Sequence, residues 1–314
     1  MKKVLLKIGL FISCILVILV LGIASLYRTI DKGNYYTLNK KYDNLIFGHS
    51  HTECAFNDSL INNTLNLSNS GESLFYTYFK VKKIVQNNKV KNVFVSFTNN
   101  YIEYTGDTVE IWKEHYLDKW YTKYGAYMDH EDVAILLKNN PRGLLNVQSI
   151  TAKKYLTFLI KNKKNIIEDL TWGAYRYSKR AKLDSLLKIN EVKNKITSFR
   201  YSKYGLLYLD KIIKLCKENK VNVYLVRCPV HSSWDRSNEP YFQKMVHGRY
   251  SQVPFLDFKN FPLPISDYGD RSHLNYLGAK KFSLFFNNLL ENGLLKKDNV
   301  QEFINTEMNK KAIL

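Results

Sequence analysis

From about residue 43 onward the chain alternates short, densely apolar runs with longer stretches whose apolar residues recur every three to four positions. NLIFG (44–48), TLNLSNSG (64–71), VKNVFVSFTNN (90–100), VNVYLVRCPV (221–230) and VPFLDF (253–258) read as buried strands bounded by Gly, Asn or Pro. TECAFNDSLIN (52–62), ESLFYTYFKVKKIVQNN (72–88), SKYGLLYLDKIIKLCKENK (202–220) and LNYLGAKKFSLFFNNLLENG (274–293) carry the helical period. Strands alternating with helices predict an α/β fold, a three-layer αβα, flavodoxin-like parallel sheet. In such a sheet the functional loops gather at the carboxyl ends of the strands.

The rhythm breaks twice. Residues 101–200, rich in Tyr, Trp and Lys, are too long for one crossover connection and read as an inserted helical cap beside the active-site face. Before the first strand, Ile8 to Leu26 is an uncharged run of 19 residues, close to the length that spans a bilayer core. A cleaved signal peptide competes with this reading, but "GIAS" makes a poor small-x-small cleavage site. The pattern therefore divides the chain into a cytoplasmic start and transmembrane anchor (1–27), a linker (28–42), an α/β domain (43–293) and a helical tail (294–314). Lys2, Lys3 and Lys7 precede the span and place the N-terminus in the cytoplasm and the rest of the chain outside. Arg28, Lys32, Lys40 and Lys41, which follow it, pull the other way.

Composition changes this picture little. The formal net charge is +19, but the lysines are spread along the chain and no nucleic-acid motif accompanies them, so no nucleic-acid partner is expected. Cys14 lies in the apolar run; Cys54, Cys216 and Cys228 follow no metal or redox spacing and read as buried free thiols. A Cys216–Cys228 disulfide is the alternative for an exported domain.

Polar residues cluster at the predicted strand ends. The first strand ends in Gly48-His49-Ser50-His51, the second in Asn69-Ser70-Gly71, the third in Thr98-Asn99-Asn100; near the C-terminus Asp270 stands three residues before His273, just ahead of a helix. A serine hydroxyl needs a base to become a nucleophile, and the base needs an orienting carboxylate. Ser50, His273 and Asp270 supply that set. The amides of Ser50 and Gly71 and the side chain of Asn99 would hold the oxyanion. Asp267 competes with Asp270 for the carboxylate role. His49, His51, Asn100 and His231 are weaker candidates for substrate contact. Neither His49 nor His51 readily reaches the Ser50 hydroxyl, because neighbours in sequence project apart at a strand-to-helix turn. A His-x-His zinc site lacks a third ligand placed by sequence, so no metal and no cofactor is expected. Trp112, Tyr116, Trp120 and Trp172 of the insertion read as core.

Ser50, Gly71, Asn99 and Asp270/His273, in this order over roughly residues 43–290, resemble the SGNH hydrolase superfamily, with DRSHLNYLGAKKF (270–282) the strongest match. Two blocks depart from the family pattern: Gly-His-Ser stands for Gly-Asp-Ser, and Phe-Thr-Asn-Asn for Gly-x-Asn-Asp. Anchor and external domain together are similar to the membrane-anchored branch that holds alginate O-acetyltransferase-like proteins and the D-alanine-transfer protein of teichoic acid synthesis. That likeness implies an O-acyltransferase acting on a cell-surface glycan through a Ser-His-Asp acyl-enzyme. It would be single-pass in the inner or cytoplasmic membrane, beside a multispanning membrane-bound O-acyltransferase. An esterase of the same chemistry, or a catalytically silent glycan-binding or scaffold protein, stands as the alternative.

Overall fold

The computed structural model describes residues 2–104, 111–180, 199–234 and 236–312. In chain order its main elements are α1 (Lys2–Lys32), β1 (Asn44–Phe47), α2 (Ser50–Ala55), β2 (Thr64–Asn66), α3 (Leu74–Asn87), β3 (Asn92–Ser96), α4 (His130–Asn139), α5 (Pro141–Ile160), α6 (Lys203–Glu218), β4 (Asn222–Arg227), β5 (Phe255–Asp257), α7 (Tyr276–Glu291) and α8 (Val300–Ala312). The chain divides into two compact units, Met1–Thr37 with Trp112–Leu170, and Leu38–Ile111 with Thr171–Leu314.

The second unit holds a five-stranded sheet in the order β2-β1-β3-β4-β5, every neighbouring pair parallel. Both faces of the inner strands are buried because the pleat sends alternate side chains to opposite layers. Ile46, Phe94 and Tyr224 stand side by side in register and pack with Phe282, Phe286 and Leu289 of α7 and with Ile304 and Met308 of α8. Among the described residues of α3 and α6, Phe75, Phe79, Tyr208, Leu209 and Ile212 are fully buried, and the Phe75 and Tyr208 rings meet at 4.5 Å. The predicted helical tail is α8. It shields edge strand β5: the Gln301 side chain accepts from Asp257 N (2.8 Å) and donates to Asp257 O (3.0 Å), occupying backbone groups that an open edge would offer to another chain.

Element ends differ from the sequence pattern where side chains compete for the backbone. The expected helix over 52–62 starts earlier, at Ser50, and stops at Ala55. Asn66 of β2 donates to the carbonyls of Thr52 and Phe56 (3.0 and 2.8 Å), and Asn57 then caps a separate single turn, Asp58–Leu60.

The first unit contains α1, 31 residues long with mean hydropathy 3.0 over its most apolar stretch, the one helix among those described that is long and apolar enough to cross a membrane. The helix runs through Arg28–Lys32, so those residues are not an extended linker. Its last turns pack on the helices of 112–170: Tyr27 Oη donates to Gln148 Oε1 (2.7 Å), and Trp120, Tyr121, Tyr124, Tyr127 and Tyr155 are buried. The stretch 101–200, expected from its length to be one insertion, is divided. In the structure 112–170 group with the N-terminal helix, while 101–104 and 171–180 belong to the sheet unit; 105–110 and 181–198 lie outside the described residues.

Candidate active site

The sheet changes direction between β1 and β3: the chain goes from β1 outward to β2, then returns to the other side of β1 as β3. A crevice at the carboxyl ends is expected at that switch. A cavity of about 340 Å³ lies there, lined by residues that follow β1 (His49, Ser50, His51), β2 (Gly71, Glu72), β3 (Asn100, Tyr101, Glu103) and β4 (Trp234), and by Ser272 and His273 ahead of α7.

Ser50 opens α2 directly after β1. Gly48 makes the exit possible: a Cβ there would lie 2.3 Å from Cβ of Ser96 on β3 and 2.6 Å from Thr52 Oγ1. The Ser50 hydroxyl lies 2.7 Å from His273 Nε2. On the other side of the ring, Nδ1 is 2.8 Å from Asp270 Oδ1 and 3.0 Å from Oδ2. A carboxylate can only accept, so Nδ1 carries the proton, and Nε2 of the neutral ring is left to accept from Ser50. The three-residue spacing builds this arrangement locally. Asp270 Oδ1 also accepts from the amides of Ser272 (2.9 Å) and His273 (3.0 Å), a turn that fixes carboxylate and imidazole together. Asp267 takes another role: it is buried and pairs with Lys281 of α7 at 2.7 Å.

Partial burial pushes the Asp270 carboxyl upward, but hydrogen bonds and charge from His273, then hydrogen bonds from Ser272, outweigh it and hold the group well below the usual carboxylate range. A depressed carboxylate stabilises the fold above its unfolded value of about 4, and that stabilisation is lost as pH falls through the folded value. Glu239, bound by Arg227, is depressed in the same sense despite its own burial. The urea midpoint is expected to fall from about pH 6.5 downward, because buried His49 and His51 are held neutral in the fold and take up a proton only when unfolded. The depressed carboxylates are expected to steepen the decline below about pH 4, with a shallower decline there in Asp270→Asn. Equal slopes would show that the carboxylate is not held by its partners.

His49 and His51 do not contact the Ser50 hydroxyl. His49 is the N-cap of α2: its Nδ1 accepts from the His51 amide (3.2 Å), so its Nε2–H faces Thr98 Oγ1 at 3.2 Å. Burial, then the neighbouring His273, pushes His49 down to about 3, which keeps the capping lone pair free. With both nitrogens engaged, His49 has none to offer a metal. His51 is also buried and is pushed well below the ordinary histidine value by burial, His49 and His273, with Asp270 opposing. Its ring meets His49 at 4.4 Å, His273 at 5.3 Å and Trp234 at 6.1 Å.

The amides of Ser50, at the first position of α2, and of Gly71 donate to no acceptor among the described residues. Gly71 sits at φ +77° in a turn closed by Glu72 N on Asn69 O (3.1 Å), a conformation that favours glycine. Asn99 is not brought to the cavity. Its side-chain amide donates to Asn238 Oδ1 (2.9 Å) and Glu239 Oε2 (3.0 Å), and its Oδ1 accepts from Arg227 (3.0 Å). Buried Arg227, also paired with Asp257, needs those acceptors, and Asn99 completes its shell. Asn100, one residue on and exposed, lines the cavity instead. His231 is likewise absent from the lining: its Nδ1 accepts from Ser233 N (3.2 Å) and holds the turn that presents Trp234.

Trp234, Arg176 and Arg180 also stand at the site, and nothing in the sequence pattern marks them. Arg180 Nη1 is 2.9 Å from Asp270 Oδ2, and Arg176 lies 3.6 Å from Glu53 Oε2 and donates to Ser70 Oγ (3.1 Å). Both arginines sit on a strap held by Ala174 N on Ser68 O and Arg176 N on Glu53 O. No motif marks this strap. The cysteines are free, with Cys54, Cys216 and Cys228 buried, and burial pushes the Cys54 thiol up to about 11 and Cys216 up to about 12.

A protein-family model that carries no descriptive name matches residues 174–295, less than half of the chain, a stretch that includes Asp270 and His273 but not Ser50. No curated protein matches. Among solved structures, the chain is similar to a GDSL-like lipase from Bacteroides thetaiotaomicron VPI-5482, at 12% identity and a TM-score of 0.38, over 86% of this chain and 99% of that one. It is similar also to a candidate acylhydrolase from Bacteroides fragilis NCTC 9343, at 12% identity and a TM-score of 0.39, over 87% and 97%. Likenesses this remote leave the chemistry to be read from the site itself.

Proposed function

We propose that this chain is a serine-dependent acyl-transfer enzyme of the SGNH type. The observation that carries the reading is the continuous line from Ser50 Oγ to His273 Nε2 and from His273 Nδ1 to Asp270. Ser50 Oγ attacks an acyl carbonyl while His273 Nε2 takes its proton. The amides of Ser50 and Gly71, with Asn100 in the place expected for Asn99, receive the oxyanion. The imidazolium, steadied by Asp270, returns the proton to the departing alcohol and leaves an acyl-Ser50 ester. An incoming hydroxyl then gives its proton to His273, takes the acyl group and frees Ser50.

The acceptor we assign is a hydroxyl of a cell-surface glycan, with α1 as a single-pass anchor, the catalytic unit outside the membrane and the donor delivered by a multispanning O-acyltransferase. The apolar length of α1 and the polar lining of the cavity support this. Incubation of the full chain with an activated acetyl ester and glycan oligosaccharides tests it. Acylated sugar is expected; free acid alone would make the chain an esterase, and no labelling of Ser50 by a fluorophosphonate probe would remove the enzyme reading altogether.

The two asparagines separate by the same assay. Asn100→Ala is expected to lower kcat on the order of 10²-fold, the size of a lost oxyanion donor. Asn99→Ala is expected to cost about 1–3 kcal/mol of stability, from the partners it leaves unpaired, with a smaller change in kcat. The reverse order would return the donor role to Asn99.

A further inference from the structure

We infer that α5 lies on the surface of an anionic lipid bilayer, apolar stripe inward, as a second membrane contact beside α1. This rests on the reading of α1 as an anchor. The core-facing side of α5 is complete: Leu144, Val147, Thr151, Tyr155 and Phe158 are buried. The opposite side mixes exposed polar residues with an apolar stripe. Leu145 is 68% exposed, Leu156 51% and Ile160 75%. At helical rotation these three fall within about 60° of one another, an arc that also includes Ser149 and, at its Ile160 edge, Arg142. A solvated face does not favour three large aliphatic side chains in one stripe.

The surrounding charge names the occupant. Residues 133–167 hold seven basic residues (Lys138, Arg142, Lys153, Lys154, Lys161, Lys163, Lys164) and no Asp or Glu. Arg142 is three positions before Leu145, and Lys153 three before Leu156, so both flank the stripe. Two copies meeting through this face would bring like charges together, whereas anionic headgroups complement it. Position agrees as well. α5 receives α1 at Tyr27, through Gln148 (2.7 Å) and the Tyr155 ring (5.7 Å), one residue past the end of the uncharged run. If α1 spans the bilayer, its exit point holds the middle of α5 at the headgroup level.

The test uses the full chain with Cys14→Ser and a nitroxide at Leu145→Cys, Leu156→Cys or Ile160→Cys, the buried thiols staying unlabelled. The protein is reconstituted in phosphatidylcholine vesicles containing a quarter phosphatidylglycerol. Power saturation then compares access of oxygen with that of a water-soluble nickel chelate. All three labels are expected to be several-fold more accessible to oxygen than to nickel, while Glu131→Cys at the start of α4 shows the reverse. Protection is expected to weaken in pure phosphatidylcholine. Nickel access at the three positions equal to that at Glu131→Cys would overturn the proposal. So would dipolar broadening that dilution with unlabelled protein removes, which would put a second copy on the stripe. A label on native Cys14 reports the anchor separately. Cys14 in hydrocarbon with the stripe in water refutes the α5 contact alone. Cys14 in water with the stripe protected refutes the span and leaves the surface contact standing.

Discussion

Ser50→Ala and His273→Ala are each expected to lower kcat for acyl transfer by roughly three to six orders of magnitude, and the double variant to lose little more. The reason is the geometry of one unit. The hydroxyl is nucleophilic only while Nε2, 2.7 Å away, takes its proton. Removing either end leaves the other idle, so the losses do not add. Asp270→Asn is expected to cost about 10⁴-fold by offering Nδ1 an amide in place of a carboxylate and mis-setting the tautomer. His49→Ala and His51→Ala are expected to cost on the order of tenfold, as a cap and a packing neighbour of the base. Steady-state rates with an activated ester measure all five. Should His51→Ala match Ser50→Ala while His273→Ala stays active, the base would lie beside the serine and the distant pair would be structural.

Lys80→Met is expected to destabilise the sheet unit by about 3–5 kcal/mol, measured by urea unfolding. Lys80 and Glu72 form an ion pair at 2.9 Å with both side chains fully buried. The Lys80 ammonium also donates to the carbonyls of Leu67 (2.5 Å) and Trp172 (2.7 Å). It therefore ties the end of β2, the glycine turn and the arginine-bearing strap to α3. Without the lysine the fully buried Glu72 carboxylate keeps the Thr77 hydroxyl (3.0 Å) but loses its counter-charge, and that loss is what makes such variants costly. Glu72→Leu with Lys80→Met removes both charges and is expected to recover most of the loss. A cost below about 1 kcal/mol for Lys80→Met would mean that the pair is hydrated in solution.

Neither the ion pair nor the strap was legible beforehand. Lys80 lies in a helix that also carries Lys82 and Lys83, and nothing in the spacing of Glu72 and Lys80 distinguishes them from a solvated pair. Asn99 and Asn100 show the limit more sharply. Both stand at the end of β3, and the sequence places the pair but not the phase. Which one faces the cavity depends on Arg227, 128 residues along, whose buried guanidinium claims the Asn99 carbonyl. The same holds for His231 and Trp234, where a histidine spent on its own turn delivers the tryptophan.

What the sequence by itself determined is local and periodic. Strands β1, β3 and β4 follow from continuous apolar runs, α3, α6 and α7 from the helical period, the turn from Gly71, and the Asp270–His273 pair from a three-residue spacing that closes its own hydrogen bonds. These features need only neighbouring residues to be realised. Tertiary structure decided what depends on through-space competition. It assigned Asn99 to Arg227, drew Arg180 onto Asp270 and grouped residues 112–170 with α1. It also left the stripe on α5 uncovered by the described residues, because burial and pairing are settled by whichever distant group can satisfy a charge or cover a side chain at least cost.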